Sequence, residues 1–275
     1  MSRDKKFIAA VAWCLAIAVC GTAARADLML SAPPRESAAA GEKLYGPLAE
    51  YLSQVSGEKV TYRYPDNWAI YQALMTKGEY DLVFDGPHFV SWRIERSRHV
   101  PLAALTGKLG FVVIVRQDDT QTKKVSDLAG KRVCGHSPPN LATLTLYDRF
   151  PNPARQPRLI ETQGFDAAYQ GLLSGKCLGT VLPTEIHKKL DAAAARTRIL
   201  YSSEMFPNQA LTAGPRVPEA VRNRIKQALL SEAGQTTSRP VAAKFGASEF
   251  IAVSADDYKG HDNLLRNVWG FEQRR

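Results

Sequence analysis

The sequence predicts an α/β protein built from two successive sets of strand–helix units. Short apolar runs alternate with amphipathic stretches from Asp27 onward, three such units follow one another without interruption, and the rhythm starts again after a polar stretch at Gln117–Thr122. Alternation of this kind belongs to βα units that build a mostly parallel sheet.

The elements follow in order. Leu28–Ala32 reads as the first strand and Gly41–Val55 as a helix. Lys59–Tyr64 is a second strand, with Val60, Tyr62 and Tyr64 alternating along it, and Trp68–Thr76 is a helix closed by Gly78. Asp81–Phe84 is an apolar strand that stops at Asp85-Gly86-Pro87, where Pro suits the first position of the next helix. Val100–Leu105 is another strand, and the β-branched run Gly110–Arg116 is long enough to carry the chain into a second lobe. There, strand Lys131–Cys134 leads through the loop Gly135–Pro139 into a helix over Asn140–Phe150. Strand Arg158–Glu161, helix Phe165–Leu173 and strand Leu178–Leu182 complete the second set. An Ala-rich helix Glu185–Ala195 and strand Arg198–Tyr201 precede an irregular stretch, Ser202–Pro218, which reads as the return crossing. Pro218 opens a helix through Leu230, and Asp256–Trp269 reads as a last helical region. The expected division is a leader over 1–26, a first lobe over 27–112 and 205–275, and a second lobe over 113–204.

The N-terminus carries an export signal. Arg3, Lys5 and Lys6 form a charged start, Phe7–Cys20 is apolar, and Ala24-Arg25-Ala26 supplies a small-x-small cleavage site. The apolar run of about 14 residues falls short of the roughly 20 that a spanning helix needs, and Val19 before Cys20 does not suit lipid attachment. Cleavage removes Arg3, Lys5, Lys6, Arg25 and Asp4, lowering the formal net charge from +9 to +6. A basic surface favours anionic ligands, but the basic residues are scattered and form no block suited to nucleic acid. The mature chain is expected in the periplasm, as a monomer.

Of the four cysteines, cleavage leaves Cys134 and Cys177. In an oxidising compartment they suit a disulfide; two buried thiols, or a dithiolate gripping a soft metalloid, are the alternatives.

Three strand-to-helix loops hold the candidate binding residues. In Gly135–Thr143 a helix N-terminus exposes N–H groups and partial positive charge to an oxyanion, with Ser137, Asn140 and Thr143 as further donors; the competing role of Ser137 or Asn140 is an ordinary cap. The Asp85-Gly86-Pro87-His88 turn is a second such N-terminus at a strand end, where open α/β sheets place ligands. In the third, Tyr64–Trp68, Tyr64 and Trp68 offer walls and Asn67 a donor. Asp85 is either a structural cap or an acceptor for a proton or amine on the ligand. No G-x-S-x-G, H-E-x-x-H, Walker or G-x-G-x-x-G motif is present. The five histidines are dispersed. No catalytic set, metal site or cofactor is expected.

Tyr45-Gly46-Pro47-Leu48, Asn67–Leu74, Gly78–Pro87 and Val125–Val133 resemble the phosphate/phosphite/phosphonate-binding branch of the type 2 periplasmic solute-binding proteins of ABC transporters. That resemblance implies two α/β lobes joined by two crossing strands. It also implies one cleft that brings together the loops of Tyr64–Trp68, Gly86–His88 and Ser137–Thr143 and captures a small oxyanion for a permease. It differs at Asn67-Trp68, where relatives carry Asp-Tyr, and at Ser137-Pro138-Pro139-Asn140, where they carry a Ser/Thr-rich oxyanion loop and where two prolines remove two N–H donors. The alternative role is a periplasmic sensor or accessory protein docking on a kinase or redox partner, with arsenite as a ligand through Cys134 and Cys177.

Overall fold

A computed structural model of the protein describes residues 27–271. The export signal and the last residues of the basic tail lie outside the described residues.

The first half opens with β1 (Asp27–Ser31), α1 (Ala38–Ser56), β2 (Lys59–Tyr62), α2 (Trp68–Thr76), β3 (Leu82–Asp85), α3 (Pro87–Ser97) and β4 (Val100–Leu105). Side chains fix several of these starts. Ser37 caps α1 by accepting from Ala40 N–H, and Asn67 caps α2 by accepting from Ile70 N–H at 2.9 Å. After the short β5 (Lys108–Leu109), β6 (Phe111–Arg116) begins a second sheet. β7 (Arg132–Gly135), α4 (Leu141–Tyr147), β8 (Arg158–Glu161), α5 (Phe165–Leu173), β9 (Gly179–Pro183), α6 (Thr184–Asp191) and β10 (Thr197–Ser202) follow. The chain then returns through β11 (Phe206–Pro207) to β12 (Ala210–Ala213), α7 (Glu219–Leu230), α8 (Glu232–Lys244) and β13 (Phe250–Ile251).

The strand orders are β13-β4-β12-β3-β1-β2 and β10-β6-β9-β7-β8. Both sheets are parallel in part only. β1 pairs parallel with β2 and β3, and β7 pairs parallel with β8 and β9. Strands that leave or re-enter a sheet through the crossings run the other way, as β12 does beside β3 and β4, and β6 beside β9 and β10. The crossings themselves pair antiparallel, Phe206 with Leu109 and Pro207 with Lys108. Phe111 and Val112, expected in the first lobe, are therefore strand residues of the second sheet.

Each sheet has its own core. Leu28, Leu30, Leu48, Leu52, Phe84 and Ile225 are among the residues that close the first, and Val113, Val115, Val133, Leu146 and Val181 are among those that close the second. Behind the second core, Cys134 on β7 is bonded to Cys177 in the turn between α5 and β9, with Cα atoms 5.7 Å apart. Both are buried.

Two expectations change, and one helix forms where none was read. The Ala-rich helix stops at Asp191 because that carboxylate accepts from Arg196 N–H and from the Thr197 backbone and hydroxyl, folding the chain back into β10. The stretch Asp256–Trp269 forms two 3₁₀ turns, Asp256–Tyr258 and His261–Leu265, separated by Gly260 at φ 81°. Finally, Glu232–Lys244 is helical despite Gly234 and Pro240, because Ser231 caps it and Ser238, Val241 and Ala242 are buried.

Among the described residues no helix is long and apolar enough to cross a membrane.

Candidate functional site

The C-terminal ends of the parallel strands of both sheets meet at one cleft, whose cavity volume is about 370 Å³. This is where open α/β sheets hold ligands. β1 leads to Arg35 and Glu36, β3 to Gly86 and His88, β7 to His136 and Asn140, β8 to Gly164 and Phe165, and β9 to Thr184 and Glu185, all of which line it. The crossings contribute Thr106–Gly110, Met205, Asn208 and Gln209, and the end of α8 contributes Lys244 and Phe245.

Of the nine sequence-predicted site residues, four line the cleft: Trp68, Gly86, His88 and Asn140. The other five stand outside its lining. Tyr64 donates its hydroxyl to Glu36 O at 2.8 Å and so fixes the backbone of a lining residue. Asn67 is exposed and occupied as the α2 cap. Thr143 donates to His136 O at 2.5 Å, while the Ser137 carbonyl accepts from Asn140 N–H in the tight turn before α4.

Asp85 is fully buried and already partnered. Arg93 Nε donates to its Oδ2 at 2.6 Å, and the Tyr71 hydroxyl donates to Oδ1. Burial works against the Arg93 charge, but Tyr71 and Asp85 outweigh it and hold the guanidinium protonated. The Asp85 carboxylate therefore ties β3 to α3 from beneath and does not present itself to a solute.

The charged groups of the cleft are largely ones that sequence reasoning missed. Arg35 lies over the Phe245 ring, 5.2 Å from its centroid, and Nη2 donates to Gln209 Oε1 at 3.4 Å. Its Nη1 is buried without a partner. Glu36 has a raised carboxyl pKa, because burial outweighs the opposing fields of Arg35 and Lys244. Burial also lowers His88 to about 3 and His136 to about 4, with Arg35 adding to both shifts. Both imidazoles are neutral at physiological pH. Arg35 and Glu36 lie in a short irregular link after β1, where no periodicity marks them, although two charged residues just before a helix cap are a signal of a kind.

Helix starts differ around the cleft. α4 is capped by Asn140, which accepts from Ala142 N–H at 3.0 Å, while α5 and α6 carry Asp166 and Glu185 in their first turns. α3 has neither a capping side chain nor a first-turn acid. Its partial positive charge is left open to the cleft.

One polar contact spans the cleft from wall to wall, and one apolar cluster closes its back. His88 Nε2 on α3 meets Pro139 O at 3.0 Å, and the 3₁₀ turn bearing Leu264 and Leu265 packs with Leu144 of α4 and Phe89 of α3. The Cys134–Cys177 bond also removes both thiols from any role in gripping a metalloid or pairing with His136. Among the described residues no group of three or more His, Cys, Asp or Glu side chains is placed to hold a metal ion.

The family described as ABC transporter, phosphonate, periplasmic substrate-binding protein matches residues 30–258. The chain belongs to this family. Solved structures agree on the fold of this phosphonate-transporter binding protein. PhnD1 from Prochlorococcus marinus, in complex with methylphosphonate, has a TM-score of 0.69 at 16% identity, covering 88% of this chain and 98% of its own. A binding-protein component of an ABC phosphonate transporter from Pseudomonas aeruginosa gives 0.66 at 12%, covering 85% and 83%. XAC2383 from Xanthomonas citri, bound to ATP, gives 0.68 at 14%, covering 89% and 96%. No curated protein matches the sequence. The family's role, a periplasmic substrate-binding component of an ABC transporter, is thus this chain's role, and the sensor alternative has no comparable support.

Proposed function

We propose that the mature chain, released into the periplasm after Ala26, captures a small phosphorus oxyanion of the phosphonate class as a monomer and presents it to an ABC permease without chemical conversion. With Phe111 and Val112 in the second sheet, one lobe comprises residues 27–110 and 205–271 and the other 111–204, closing about the paired crossings β5 and β11. The observation that carries this reading is the pairing, on one wall, of the uncapped α3 start with Arg35, whose buried Nη1 has no protein partner. An oxyanion at this point meets the partial positive charge of a helix start, whose first turn leaves the His88 N–H free because Pro87 has none and those of Phe89 and Val90 go to Gly86 O, together with a charge-assisted hydrogen bond from a guanidinium. Gly86 is set by its own surroundings, since a Cβ there would crowd Gln209 Oε1 at 3.1 Å and His88 Cε1 at 3.3 Å. Trp68, His88 and Asn140 complete the lining. Tyr64, Asn67, Asp85, Ser137 and Thr143 hold the loops that bear it.

Calorimetric titration of the secreted protein with methylphosphonate, phosphite and phosphate is the direct test. Saturable binding of at least one is expected, and failure of all three to bind ends the proposal while leaving the fold untouched. N-terminal sequencing of the exported protein should begin at Asp27.

A further inference from the structure

The cleft is larger than a small oxyanion needs, and the surplus is apolar. Its two walls already touch: His88 Nε2 reaches Pro139 O at 3.0 Å, and a Cβ on Gly246 after α8 would meet Glu185 Cβ of α6 at 3.7 Å, ordinary van der Waals range. With the walls this close the cavity still measures about 370 Å³. A water takes about 30 Å³ of liquid, so this is room for about a dozen, and it falls within the roughly 300–1,000 Å³ of sites for drug-sized ligands. Phosphate or methylphosphonate displaces only a few of those waters. Around Gly86, His88, His136 and Asn140 the lining is polar and buried, whereas Leu109, Phe165, Ile186, Met205 and Phe245 line the remainder and none of them is buried. Met205 is 52% exposed. Apolar side chains gathered on one concave surface and left wet mark a place for a ligand.

The polar and apolar parts are continuous. Arg35 lies over the Phe245 ring, 5.2 Å from its centroid, and across the cleft His136 meets the Phe165 ring edge-on at 4.8 Å. One aromatic ring from each wall thus follows directly on the polar part. Further along, Met205 Sδ is seated against Gly110, where a Cβ would come within 2.6 Å of it and within 3.2 Å of Thr184 Oγ1. We infer that the solute is an organophosphonate whose phosphorus carries a ring-sized apolar substituent: the oxyanion sits against Arg35 and the α3 start, and the substituent lies between Phe165 and Phe245 with Met205 at its far end. This rests on the cleft being the phosphonate site, and it makes Phe165 and Met205 the residues that set specificity. Rings on the two walls and a polarisable thioether beyond them suit an aromatic substituent in particular. The charged neighbours Lys108, Asp166, Glu185, Lys189 and Lys244 are exposed and mixed in sign, so they keep their hydration and single out no second anion.

The experiment is calorimetric titration of the mature protein with phenylphosphonate, methylphosphonate and phosphate, alongside the Met205→Gln and Phe165→Leu variants. Phenylphosphonate is expected to bind at least about tenfold more tightly than methylphosphonate, since tenfold is less than the burial of two methylene groups is worth. Met205→Gln keeps the length of the side chain but wets the far end, and Phe165→Leu keeps an apolar contact but removes the ring. In each, the ratio of the two affinities is expected to fall at least about threefold. Met205 is half-exposed, so its variant retains the fold and carries the test even where Phe165→Leu does not. Methylphosphonate or phosphate bound as tightly as phenylphosphonate, or an unchanged ratio in Met205→Gln, overturns the inference and leaves the phosphonate site standing. Absence of binding by all three overturns both.

Discussion

Helix α3 opens on Gly86, with Pro87 at its first position and no capping side chain, whereas α4, which it meets across the cleft through His88 and Pro139, is closed by the Asn140 carbonyl. The same contrast runs through the two walls. The first sheet contributes Arg35, Glu36 and a helix start with neither cap nor first-turn acid, and the second contributes neutral His136, the ring of Phe165, the start of α4 capped by Asn140, and the starts of α5 and α6 with Asp166 and Glu185 in their first turns. Two strand-to-helix loops that look alike as sequence thus have opposite chemistry. What decides between them is whether the chain's own side chain takes up the first-turn N–H groups before a solute can.

If the first wall is preorganised by what lies beneath it, the largest effect should come from Asp85. Asp85→Ala leaves Arg93 charged, buried and short of its partner, which should cost about 3–5 kcal/mol of stability in denaturant unfolding. A loss below about 1 kcal/mol would show that the pair does not support α3. Next in size is the comparison of the walls themselves. Arg35→Ala should weaken oxyanion binding by about 2 kcal/mol, on the order of 30-fold, through loss of a charge-assisted hydrogen bond. Asn140→Ala should mainly remove a helix cap, about 1 kcal/mol of stability. Should Asn140→Ala weaken binding more than Arg35→Ala, the assignment of the charged wall is reversed. The smallest effect is expected at Asn67→Ala, again about 1 kcal/mol of stability, with calorimetric affinity unchanged because Asn67 spends its side chain on Ile70 N–H.

Most of the fold was legible because its signals are local. α2, α5, β4 and β8 begin and end where the sequence places them, since caps, glycines and β-branched runs mark their limits. Helix α8 was not legible. Gly234, Pro240 and a run of Ser and Thr argue against a helix locally, and only its packing against the first core overrides them. Because Lys244 and Phe245 ride on that helix, two cleft residues went with it. Asp85 shows the converse limit: its place at a strand end is correctly read, but its partner Arg93 lies one helix face away, and a one-dimensional reading has no means to see that both oxygens are taken.

The Cys134–Cys177 bond joins a strand to a turn of the same wall. A covalent tether so placed has no lever arm over the cleft. Oxidation can stiffen the wall that closes down without restricting its travel, so the protein can be both cross-linked for a harsh compartment and free to open and shut.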